Sequence, residues 1–164
     1  MTEHLEPRVH GKIIAAEPEA GSAAIATAVF DSYQINSRDV HTLPRQVTLT
    51  FFCPNCEPSI LEDEAKVWVE FECFADWESL SESRVKDASI QPAKDRRNEY
   101  EYSLIGEIFS VKQSSGSKDL YINAVVPILL TLGSRTPTAQ TAQAKEGITV
   151  RLSKGRLYGH IEPG

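Results

Sequence analysis

The residues best equipped for chemistry lie near the C-terminus. Arg151, Lys154, Arg156, Tyr158 and His160 fall within ten residues of one another. In an extended strand Arg156, Tyr158 and His160 project from one face, with Leu157 and Ile161 on the other. Cationic groups attract phosphate and aromatic faces stack bases, the pairing that single-strand nucleic-acid binders use. Lys112, Lys118 and Tyr121, from a preceding hairpin, are expected to join them. The plain alternative is that all of these are solvated outward positions, the usual place of surface lysine and arginine.

Two further groups invite a chemical reading. Trp68, Glu70, Glu72 and Phe74 share one side of an alternating strand, so Trp68 and Phe74 form a candidate face for a protein partner. The alternative is a second core layer covered by residues 78–98. Cys53-Pro54-Asn55-Cys56 is a C-x-x-C pair directly after the apolar run 47–52. Placed at a helix N-terminus, such a pair gives a lowered thiol pKa and redox chemistry. As a zinc site it lacks a second paired motif, and nothing in the spacing demands that Cys73 and His41 complete one. No metal and no cofactor are expected. The chain contains no Gly-rich phosphate loop, no H-E-x-x-H and no G-x-S-x-G, so no catalytic residue is assigned.

These residues must be held by strands. Residues 46–52 and 66–77 alternate with period two and are rich in β-branched and aromatic side chains. Residues 8–16 and 23–35 read as earlier strands, the alanines of the second also permitting helix. Residues 36–44 read as a loop. Residues 78–98 read as a long polar excursion, and 133–146 as a polar Thr/Ala/Gln-rich loop. Residues 99–113 form a strand kinked at Gly106, with a hairpin turn at 114–117. The segment 119–132 contains Pro127 and is therefore an edge, a bulge or two strands. At the C-terminus Lys154-Gly155 is expected to turn, so that 156–161 return as a last strand. About seven or eight short strands without a strong amphipathic helix predict an all-β domain, a small closed or partly open barrel with long loop insertions, spanning 1–164.

Composition narrows the classes. Hydrophobic residues are 41% and charged residues 24%, which suits a globular chain rather than a disordered one. The longest apolar run is too short to span a bilayer, and the N-terminus lacks the pattern of a signal peptide, so an intracellular protein without a membrane partner is expected. Three cysteines without a signal argue against a disulfide framework. Net charge is −6, but residues 103–164 carry 7 Lys/Arg against 4 Asp/Glu. That imbalance hints at a basic face.

The stretches 102–128 (YSLIGEIFSVKQSSGSKDLYINAVVPI) and 148–162 (ITVRLSKGRLYGHIE) together resemble pieces of an OB-fold barrel. The likeness lies in a glycine-kinked strand, a polar hairpin, a second long strand and a later GRLYG strand. It implies a non-enzymatic binding module for single-stranded DNA or RNA. A protein-interaction or homodimerising scaffold domain, pairing along a strand edge near 125–129, is the alternative. A thiol-dependent redox protein is a second alternative, because C-P-N-C resembles the glutaredoxin and thioredoxin-like arrangement and Val126-Pro127 resembles that family's cis-proline element. Pro58, the missing upstream βαβ unit and the distance between the two elements depart from that pattern.

Overall fold

The structure is a computed structural model describing residues 5–36, 38–56, 61–62, 64–114, 117–133 and 144–163. In chain order the strands are β1 (Leu5–Pro18), β2 (Ala24–Asn36), β3 (Val40–Cys53), β4 (Lys66–Ala75), β5 (Leu80–Glu82), β6 (Ser89–Pro92), β7 (Glu101–Ser114), β8 (Ser117–Ala124), β9 (Val126–Leu132) and β10 (Thr149–Pro163). A single 3-10 turn, Trp77–Ser79, interrupts them. Among the described residues no α-helix occurs, so the chain is all-β as its sequence predicts. It divides into two compact units, residues 1–71 with 158–164, and residues 72–157.

In the first unit β1 pairs antiparallel with β2 and with the start of β4, β2 pairs antiparallel with β3, and the end of β10 meets β3 in parallel at Tyr158 and Phe52. The alternation of β2 settles its helix-or-strand ambiguity. Ala24, Ala26, Ala28 and Phe30 are buried on one side, and the residues between them are half-buried. A helix would have scattered these four around its circumference.

Three rings, Phe30, Phe51 and Phe71, fill the centre of this unit with centroids 5.2–6.3 Å apart. Two of the three contacts are edge-on, the geometry ring quadrupoles prefer. The rings leave no room opposite them. A Cβ at Gly159 would strike the Phe51 ring and come within 2.8 Å of Val69.

The loop expected at 36–44 is largely strand: β3 begins at Val40 and pairs Thr42 with Ser32. A register shift between Phe30 and Ser32 accommodates Pro44, which has no N–H to give to a ladder.

In the second unit the end of β4 pairs parallel with β9, which pairs antiparallel with β8, which pairs antiparallel with β7. The first half of β7 lies between β6 and β10, and β5 pairs with β10. Leu104, Ile108, Leu120, Ile122, Ile128, Leu130, Leu152 and Leu157 are among its fully buried side chains. The polar excursion 78–98 is stitched to the unit by the 3-10 turn, β5 and β6, with Trp77 and Leu80 buried beneath it.

Of the three readings open for segment 119–132 the structure has two strands, which reverse at Val125, whose φ is 72°. β9 has β8 on one side and, from Leu129 to Leu132, β4 on the other, and the side chains of Val126, Pro127 and Ile128 are buried. Lys154-Gly155 does not turn. β10 continues through it with a register shift between Leu152 and Gly155. A bulge absorbs the extra residue there without reversing the chain.

Ser115 and Gly116 of the expected hairpin turn, and residues 134–143 of the loop expected at 133–146, lie outside the described residues.

Candidate anion-binding cleft

A cleft of about 510 Å³ opens in the second unit. The parallel register Phe74↔Thr131 and Ala75↔Leu132 brings the ends of β4 and β9 side by side, and the Gly133 N–H donates to the Ala75 carbonyl at 2.9 Å. These strand ends form one wall, with Phe74 and Asp76 on it. β7 and β10 form the other. Their antiparallel register sets Arg156 opposite Glu101, and the bulge before Gly155 displaces Lys154 toward the same place. Arg97, just before β7, completes the rim.

The charges of this cleft are not equivalent. Glu101 is only 4% exposed, and its carboxylate is held from two directions. Lys154 Nζ lies 3.0 Å from Oε2, and the Arg97 backbone N–H donates to Oε1 at 3.3 Å. Lys154 Nζ also donates to the Asp95 carbonyl at 3.1 Å. Burial pushes the Glu101 pKa up. The Lys154 hydrogen bond, the Arg97 N–H and the charges of both residues outweigh it, so the carboxyl sits below its ordinary 4.5. Lys154 is thus spent on the wall. The Arg97 and Arg156 guanidinium groups, in contrast, make no ion pair among the described residues. Asp76, at the cap of the 3-10 turn, makes no side-chain capping bond.

Behind the cleft Cys73 is buried in contact range of Gly155, whose Cβ would strike its Sγ. Burial raises the Cys73 pKa to about 12 against the lowering effect of Arg156, so the thiol stays protonated and is not a nucleophile near neutrality.

Of the sequence-predicted residues, the cleft gathers Phe74, Lys154 and Arg156. Arg151 is exposed on β10 opposite Ile105 and Ser81, away from the cleft lining. Lys112 is exposed on β7 opposite Asp119, Lys118 pairs in backbone register with Gln113, and the half-buried Tyr121 ring lies 5.9 Å from Phe109. In the first unit Tyr158 lies 5.0 Å from the Phe52 ring and His160 is exposed. Trp68 is half-buried there, with the Arg8 guanidinium 4.4 Å over its ring and His10 at 4.8 Å.

Arg97, Glu101 and Asp76 were missed by sequence reasoning. They sit in mixed-charge polar stretches, and only the β7–β10 register and the β4–β9 pairing bring them together.

Chemically, two guanidinium forks that make no ion pair among the described residues, in a cleft also lined by Phe74, suit a planar or phosphorylated anion. No cluster of His, Cys, Asp or Glu among the described residues is arranged to hold a metal ion. No helix among the described residues is long and apolar enough to cross a membrane. In comparison with known proteins, no family model and no curated protein matches the chain.

Proposed function

We propose that the protein is a binding module for single-stranded DNA or RNA, and that the cleft of the second unit grips its phosphates through Arg97 and Arg156. The observation that carries this reading is the pair of guanidinium groups, which make no ion pair among the described residues and line the same concavity as Phe74. Arginine is suited to this task because its planar fork binds phosphate oxygens bidentately, and an aromatic ring offers every base a stacking surface without sequence preference.

The charge distribution supports the same unit. Residues 72–157 carry 12 Lys/Arg against 11 Asp/Glu, a net +1, whereas the other unit carries 5 against 12, a net −7. A polyanion is repelled by the first and admitted by the second.

Fluorescence anisotropy with a labelled oligonucleotide at low salt tests the proposal. The expected result is binding that an Arg156→Glu substitution weakens by about tenfold, or 1.4 kcal/mol. No binding at low salt, or full affinity in the variant, would overturn it.

A further inference from the structure

Cys53 and Cys56 are joined by a disulfide, with Cα atoms 6.0 Å apart. The sequence argued against a disulfide framework, and one local bridge of this kind is a different object. It encloses only Pro54 and Asn55. Cross-linking so short a loop removes little freedom from the unfolded chain, so the bridge contributes less stability than one closing a long loop.

The loop is also held by bonds that do not depend on the bridge. The Cys56 N–H donates to the Ser22 carbonyl at 2.9 Å, and the Ser22 hydroxyl donates to Asn55 Oδ1 at 3.3 Å. On the other side Cys53 is paired with Ala24 in the β2–β3 ladder. Cys56 is thus tied to the β1–β2 turn, and Cys53 to β2, by pairings separate from the sulfur–sulfur bond.

Cys53 is fully buried, and Cys56, buried at 8% exposure, lines an open cavity of about 350 Å³ together with Ala16, Pro18, Ala23, Ala24 and Leu61. The third thiol, Cys73, belongs to the other unit and is buried.

We propose that Cys53–Cys56 is a reversible thiol–disulfide exchange site, entered through this cavity by a small dithiol. One thiolate of the dithiol attacks Cys56 Sγ. A mixed disulfide forms, the Cys53–Cys56 bond breaks, and Cys53 leaves with the electron pair and takes up a proton. The second thiolate then attacks the dithiol's own sulfur in the mixed disulfide. Cys56 is released and protonated, and the dithiol departs as a cyclic disulfide. Two electrons and two protons pass from the dithiol to the protein. This inference is independent of the nucleic-acid reading.

The experiment uses the full chain and dithiothreitol. The oxidised protein is incubated under native conditions, quenched in acid, denatured and alkylated, and its intact mass is read. The expected count is one alkyl group before treatment, on Cys73, and three after it, with the native β-sheet circular dichroism unchanged throughout. An Ala23→Phe variant, which narrows the cavity, should react at least tenfold more slowly. Three results would overturn the proposal: reduction only after denaturation, loss of the native signal as the count rises, or an Ala23→Phe rate equal to that of the parent. A count of three before any treatment would overturn it as well, because no bridge would exist to exchange.

Discussion

Lys154 and Glu101 show how burial changes what a charged residue is for. By sequence Lys154 belongs to a basic cluster. In the fold it is the counter-ion of an inward carboxylate, 3.0 Å away. Desolvation alone would favour the neutral acid, and the surrounding donors reverse that preference. A carboxyl whose folded pKa lies below its unfolded value stabilises the native state at pH values above the unfolded pKa. That contribution disappears as pH falls through the folded pKa. Glu101→Gln should therefore cost about 1 kcal/mol at neutral pH, a modest figure because the Lys154 head is partly wet. In urea titrations the gap between parent and variant should close as pH drops below 4.5. A gap that stays constant down to strongly acid pH would contradict the pairing. None of this was legible in sequence, where Glu101 is one acid among nineteen in residues 1–102. The residue types of Phe74 and Arg156 were legible, because aromatic and guanidinium groups carry their chemistry wherever they are placed.

At the scale of elements, period-two patterning located the strands that have one buried face. The second half of β3 and β4 lie where alternation predicted them, and β2 lies where its β-branched and aromatic residues favoured strand over helix. The misreadings fall where a local turn signal competed with a ladder. Lys154-Gly155 reads as a turn because glycine favours turns. Here glycine is required by close packing instead, since any side chain would strike Cys73 and come within 2.7 Å of Leu152. Pro44 similarly reads as a breaker, and a bulge accommodates it. The reversal at Val125 carries no turn residue at all. A β-branched side chain at φ 72° is strained by about 1–3 kcal/mol. The antiparallel pairing of β8 and β9 on either side of it holds the conformation. Asparagine tolerates that backbone region far better. Val125→Asn should thus raise stability by about 1 kcal/mol after its lost apolar contacts are deducted, read as a higher urea midpoint with an unchanged m-value. A lower midpoint would show that Val125 contributes more by packing than it costs in strain.

For the whole molecule, the net charge of −6 conceals two units of opposite sign. The sequence suggested an acidic first part and a basic last part. The division that matters runs by unit, because residues 158–164 join the first unit and 84–97 supply much of the second unit's positive charge. On the proposed reading a chain this acidic would bind a polyanion through a localised contact, at the two cleft guanidinium groups that make no ion pair among the described residues. The most direct measurement is the salt dependence of oligonucleotide affinity in the parent and in an Arg97→Gln/Arg156→Gln double variant. Each phosphate neutralised on a single strand contributes about −0.7 to the slope of log K against log salt. The parent should show a slope of about −1.4 from these two arginines, steeper if other cations take part, and the double variant should lose that amount. An unchanged slope in the double variant would place the phosphate contacts elsewhere and contradict the account.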